Sequence, residues 1–211
     1  KIQIPAIKGV TETNTITFKG ENAVITYTGS EEKDYLLSLD SAANISFEGI
    51  VFEAGATHDV VVDLKNTDDV SFYKTTFNAP VLTNPTMILV NMSAMNNNIS
   101  FVADTFNNGN TSIYLASQKD NLKAQNIQID SCVFTDFRAS AAVVNDIENM
   151  MFRFNKLMSH ANDFIADATQ FYNISGVSEI GANEIVLSNS TSKIRNAIVV
   201  RNASFEDINP L

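Results

Sequence analysis

The sequence predicts an all-β protein, a right-handed single-stranded parallel β-helix of about eight coils with Phe and Ile stacks inside and an Asn ladder at one turn. Three observations carry that expectation. The first is a recurring phrase: Asn or Asp, then Ile or Val, a small polar residue, an aromatic, and a Phe five places on. It reads Asn44-Ile45-Ser46-Phe47 to Phe52, Asp69-Val70-Ser71-Phe72 to Phe77, Asn98-Ile99-Ser100-Phe101 to Phe106, and Asn126-Ile127-Gln128-Ile129 to Phe134. Looser copies start at Asn149, Asn173 and Ala197, so the repeat length stays between 23 and 29 residues. The second is the period-two alternation within each phrase, which suits a short strand with one buried face and not a helix. The third is a short apolar run ahead of most phrases, such as Leu36-Leu37-Ser38-Leu39, Val60-Val61-Val62, Ile113-Tyr114-Leu115 and Val143-Val144, with further runs at Phe164-Ile165 and Ile185-Val186-Leu187.

The elements follow in chain order. Ile16-Thr17-Phe18 and Val24-Ile25-Thr26-Tyr27 form a weak opening coil, and each later repeat holds two or three strands of three to five residues between turns rich in Asn, Asp, Gly and Ser. One such unit cannot bury its own apolar side, so the copies must stack. Stacking places Phe47, Phe72, Phe101, Ile129 and Phe152 in one interior column, and Phe52, Phe77, Phe106, Phe134, Leu157 and Phe205 in another. Asn44, Asn98, Asn126, Asn149 and Asn173 tolerate left-handed backbone and hydrogen-bond along the stack through their amides. Right-handed coiling follows from the preference of parallel crossovers. At ~4.8 Å per coil the rod is about 40 Å long. Residues 1–211 read as a single domain. Thin ends, with Pro5 near one and Asn209-Pro210-Leu211 directly after a repeat at the other, give the expectation of a fragment of a longer chain or of an additional domain or subunit capping an end.

Composition narrows the function classes. A net charge of −10 and a pI near 4.5 argue against nucleic acid and against an anionic membrane surface, both of which call for a basic face. No run approaches the ~18 apolar residues of a membrane span, so no membrane insertion is expected. A single cysteine, Cys132, excludes an internal disulfide, and stability must come from packing and backbone ladders.

The Asn-Ile-Ser-Phe-x4-Phe phrase, recurring over residues 14 to 206, resembles the coil signature of right-handed β-helix proteins of the pectin-lyase-like superfamily. Its texture also resembles that of cell-surface β-helix proteins of gut Bacteroidetes. The resemblance implies a bacterial extracellular, cell-surface or periplasmic setting and a polysaccharide partner, because lyases, hydrolases and epimerases of glycans dominate the superfamily. Its lyases use an Arg or Lys base beside carboxylates that often hold calcium. No contiguous motif of theirs maps onto this chain, so no catalytic position is transferred.

The repeat register nominates candidate residues by itself. The position after the aromatic is Glu48, Tyr73, Val102, Asp130 and Arg153 in successive coils, so Asp130 and Arg153 are expected as neighbours, with Lys156, Asn155 and Asp104 nearby. A carboxylate beside a guanidinium suits neutralisation of a uronate and abstraction of its α-proton, or else forms a solvated ladder ion pair. Asp59, Asp63, Asp68 and Asp69, joined by Asp40 and Asn91 of neighbouring coils, are a calcium candidate that centres on Asp63, Asp68 and Asp69. Turn and cap roles compete with it, and no other cofactor is indicated. His58 and His160 lack zinc-site spacing and read as surface turn residues. Cys132 occupies the coil position of Thr75, Asp104 and Asn155, as a small filler. Two function readings remain. One is a module without strong catalysis that binds polysaccharide or another surface protein; the alternative is a polysaccharide lyase or glycoside hydrolase acting on an acidic glycan, with Arg153 or Lys156 as base and Asp130 or Asp104 as partner.

Overall fold

The structure is a computed structural model that describes residues 2–27, 33–80, 86–116, 123–159, 167–187 and 196–205. Its described residues contain no helix. Every ladder between strands is parallel, and three strand columns wind into a solenoid of about six turns. The first column stacks β1 (Ile2–Pro5), β3 (Lys33–Asp40), β5 (His58–Lys65), β8 (Ile88–Ser93), β11 (Thr111–Ala116), the first half of β14 (Ser140–Arg153), β16 (Thr169–Gly176) and β19 (Ile198–Arg201). The second stacks β2 (Ile16–Thr26), β4 (Ala43–Glu53), β6 (Asp68–Tyr73), β9 (Asn97–Val102), β12 (Ala124–Asp130), the second half of β14, and β17 (Glu179–Gly181). The ends of β2 and β4 begin the third, which continues through β7 (Thr76–Asn78), β10 (Thr105–Asn107), β13 (Val133–Thr135), β15 (Lys156–Ser159) and β18 (Glu184–Leu187). A last short strand, β20 (Ser204–Phe205), pairs with the end of β16.

The aromatic at the fourth place of the phrase sets this register. Phe47 pairs with Phe72, Phe72 with Phe101, Phe101 with Ile129, and Ile129 with Phe152. The Phe47, Phe72 and Phe101 rings stack nearly parallel, with centroids 5.1 Å apart for Phe47 and Phe72 and 5.0 Å for Phe72 and Phe101. Phe52, Phe77, Phe106 and Phe134 form the second stack, down to 4.7 Å between Phe106 and Phe134. The two stacks meet edge to face, as in Phe72 against Phe77 at 5.4 Å. Offset and edge-on pairs of this kind add about 0.5–1.5 kcal/mol each beyond area burial.

The turn ladder has the backbone expected of it. Asn44, Asp69, Asn98, Asn126 and Asn149 all adopt positive φ, between 51° and 63°. Short polar side chains tolerate that conformation, and their amides then bond from rung to rung: Asn126 Nδ2 donates to Asn98 Oδ1 at 2.7 Å, and Asn149 Nδ2 to Asn126 Oδ1 at 3.1 Å.

The later repeats depart from the expected register. Asn173 stacks on Asp146, to which its amide donates at 2.8 Å, and the rung above Asn149 falls at Gly176 instead. The Asn149 side chain accepts the Val177 N–H there at 2.9 Å, so the chain turns three residues later than the sequence phrase suggests. Ser175 therefore pairs with Glu148, and Glu179 with Ile180 continues the polar and aromatic columns. The copy at Ala197 is a strand of the first column, because Ile198 pairs with Thr169. Phe205 pairs with Gly176 and is 50% exposed, while Ile185 continues the column above Leu157. About six turns result in place of eight, since β1, β2, β19 and β20 are mostly exposed outer rungs. Phe164, Ile165, His160 and the 209–211 end lie outside the described residues.

Phe101→Ala removes a ring held between Phe72 and Ile129 and should cost about 3–5 kcal/mol in urea denaturation. Phe205→Ala should cost less than about 1 kcal/mol, because that ring packs against little.

Candidate functional site

The outer face of the second column carries Ser46, Ser71, Ser100, Gln128, Met151 and Glu179, one per turn, since strand alternation turns inward the apolar neighbours of each. A groove of about 540 Å³ lies on this face. The Asn98, Asn126 and Asn149 ladder forms one side, and Ser100, Gln128 and Met151 line its floor. Glu179 closes it at one end. A second concavity of about 290 Å³, lined by Glu12, Thr15, Asn44, Asp69 and Ser71, shares Asn98 with the first and continues the same line. Six rungs from Asn44 to Gly176 at ~4.8 Å make a track of about 24 Å.

Beside Glu179 the expected neighbours Asp130 and Arg153 meet. Arg153 Nε donates to Asp130 Oδ2 at 2.7 Å, and its other arm reaches Glu179 Oε2 at 3.3 Å. Burial pushes the Asp130 carboxyl up, but hydrogen bonds from Ser131 and Arg153 outweigh it and hold the group below its usual range. The bond to Asp130, with smaller help from Glu179, keeps the Arg153 guanidinium protonated above its usual range. Each partner thus locks the other in its charged form. Lys156 belongs to the third column and pairs with Glu184 at 3.4 Å.

Asp104 is not on this surface. It is fully buried beneath the turn, where its Oδ1 accepts the Thr75 N–H at 2.6 Å. The same place in successive turns holds Thr75, Asp104, Cys132, Asn155 and Asn183. Four of the five donate to the backbone carbonyl of the aromatic position one rung back: Thr75 to Phe47, Cys132 to Phe101, Asn155 to Ile129 and Asn183 to Phe152. Asp104 Oδ2 has no hydrogen-bond partner, and a carboxyl can donate in that pattern only when it is protonated. Burial raises the Asp104 carboxyl to about 8, against weaker opposition from the Thr75 and Val102 N–H groups. Cys132 is fully buried, gives its N–H to Asn155 Oδ1 at 2.9 Å, and its thiol is pushed up by burial.

The acids of the calcium candidate do not converge. Asp63 lies on β5 in the first column and accepts from Asn91 at 2.7 Å, whereas Asp68 and Asp69 open β6, Asp68 accepting from Asn98 at 2.9 Å. Burial, then Asp68 and Glu12, holds Asp69 above its usual range. Among the described residues no three His, Cys, Asp or Glu are grouped to hold a metal ion. His58, expected on a surface turn, is fully buried, with its ring edge-on to Tyr27 at 5.5 Å and Nδ1 at 3.2 Å from the Gly55 carbonyl. Sequence reasoning missed Glu179 and Met151 as groove residues. The Asn149 phrase signalled Met151, but the shift at Gly176 hid Glu179.

No protein-family model and no curated protein matches this sequence. Among solved structures the chain is similar to HetL, a pentapeptide-repeat protein involved in heterocyst differentiation regulation from the cyanobacterium Nostoc, at 7% identity, covering 90% of this chain and 86% of that one. The TM-score of 0.14 is too low for that likeness to bear on the site. No helix among the described residues is long and apolar enough to cross a membrane.

An acid whose folded pKa is raised takes up a proton on folding, so the Asp104 contribution is fully present below about pH 4 and is lost as pH rises toward about 8. The urea midpoint of the native protein should fall across that window, with a slope of at most about 1.4 kcal/mol per pH unit from this group. Asp104→Asn keeps the acceptor and adds the donor, so it should raise stability at pH 8 and remove that component of the slope. An unchanged slope would show that Asp104 is ionised in the folded chain.

Proposed function

We propose that the protein is a bacterial extracellular, cell-surface or periplasmic module that binds polysaccharide along the groove over Ser100, Gln128 and Met151. The observation that carries this reading is the pairing of a 540 Å³ concavity with a side wall of amides. Those amides repeat every ~4.8 Å, so an extended polyhydroxylated chain meets the same hydrogen-bonding groups on successive rungs. The volume lies within the usual range of ligand sites, about 300–1,000 Å³. Met151 adds an apolar floor for the faces of sugar rings. The coil phrase's resemblance to the pectin-lyase-like superfamily supports the same partner class, at the level of fold analogy alone.

Catalysis fits this surface poorly. A general base must give up its proton near neutral pH, and Arg153 is flanked by two carboxylates that favour the protonated form. Asp130 is likewise held ionised and has no proton to donate. A lyase reading survives only if a bound uronate displaces one of those carboxylates. Apolar residues exposed at the outer rungs, Ile2, Phe18, Ile198 and Val200, support a further domain or subunit stacked on the solenoid as part of this proposal.

Ser100→Tyr places a ring in the groove from an outward position. It should weaken binding to responsive oligosaccharides by at least ~10-fold in titration calorimetry while the thermal midpoint is retained. Equal binding by the variant would move the site elsewhere, and failure to bind any of a broad glycan panel would overturn the reading. With acidic glycans, no unsaturated or reducing ends should accumulate; their release, and its loss in Arg153→Ala, would establish the lyase or hydrolase alternative.

A further inference from the structure

The groove's charge distribution says which glycans fit it, on the condition that the binding reading above holds. Its middle is uncharged. Each ladder amide has two N–H donors and two acceptor sites, and within the ladder Asn126 uses one donor on Asn98 and one acceptor on Asn149. One of each is left at Asn126 and at Asn149, the complement of a sugar hydroxyl, which also donates and accepts, whereas Asn98 gives its N–H groups to Asp68 and Asp69. Both ends, in contrast, are negative. Glu179 and Asp130 share the single guanidinium of Arg153 at one end, leaving that group of three with a net negative charge. Glu12 and Asp69 line the other end beside Asp68.

Among the cations Lys74, Lys123 and Arg153 beside this line, only Arg153 is neutralised by carboxylates. Arg153 has two carboxylates, whereas Lys123 Nζ donates to the neutral Ser175 Oγ at 2.6 Å and Lys74 lies over the neutral Tyr73 ring at 4.9 Å, so both lysines keep their charge. A polyuronate carries one carboxylate per sugar and would set several of them along this track against the fixed carboxylates Glu12, Asp68, Asp69, Asp130 and Glu179, which outnumber the cations Lys74, Lys123 and Arg153. A net charge of −10 adds a repulsive long-range field. A neutral chain loses nothing by either.

We propose that the groove takes an uncharged polysaccharide and excludes polyuronates. The specificity comes from acidic ends that act against the wrong ligand more than from contacts that favour the right one. The opposite preference would need Arg153 to be released from Asp130 or Glu179, or Lys74 and Lys123 to turn to the ligand.

The test is titration calorimetry of the intact chain with neutral oligosaccharides (glucan, mannan and galactan series) and with oligogalacturonate and alginate oligomers, at low and high salt. At least one neutral series should bind at least ~10-fold more tightly than either uronate, with little salt dependence. The Glu12→Lys/Glu179→Lys variant, its fold checked by circular dichroism, should gain at least ~10-fold in uronate affinity, most strongly at low salt. Glu179→Lys alone, at an exposed position, serves if the double variant unfolds. Uronates binding the native protein as tightly as neutral chains would overturn this inference and leave the groove as a glycan site. No binding of either class would overturn the glycan reading itself.

Discussion

Like-on-like stacking across parallel rungs is the constraint on which the rest of the structure depends. A strand of three to six residues has too little apolar surface to fold alone, and here each finds its cover in the same residue of the next turn. Phe72 lies between Phe47 and Phe101, paired in register with both, and the rings follow the backbone spacing closely enough to stay in contact. Because a slip of one residue would turn the Phe column outward and the Ser column inward, register is held by burial as much as by hydrogen bonds.

The turns are built on the same rule with polar atoms. Outside, the Asn side chains bond along the stack at positions of positive φ. Inside, Thr75, Cys132, Asn155 and Asn183 send their donors to the carbonyls of the rung behind. A buried carbonyl left without a donor is costly, so this column tolerates several residue types but asks all of them to donate. Asp104 satisfies that demand only with its proton on, which ties a carboxyl in the core to solution pH.

A rigid solenoid of this kind makes its outer face a regular array, and the groove inherits that regularity. Amides of one ladder stand beside a column of small or flexible side chains, at a spacing set by the backbone. The charged groups that break the pattern, Asp69 at one end and Glu179 with Arg153 and Asp130 at the other, make the two ends of the groove differ from its uncharged middle. The same regularity leaves the outer rungs with apolar columns open, as at Phe18 and Val200.

The sequence by itself determined the solenoid, its two aromatic columns, its Asn turn and the adjacency of Asp130 to Arg153, because all four depend only on counting from a repeated aromatic. Tertiary structure decided what counting could not reach. The shift of register at Gly176 that brings Glu179 to the groove arises where the Asn149 side chain accepts the Val177 N–H, a contact between residues 28 apart. The burial of Asp104 and His58 depends on which side of a turn faces the core, and polar residues carry no hydrophobic signature of that choice. The division has one physical cause: periodic burial is written into residue order, whereas the irregular corners are settled by whichever neighbour satisfies their backbone groups.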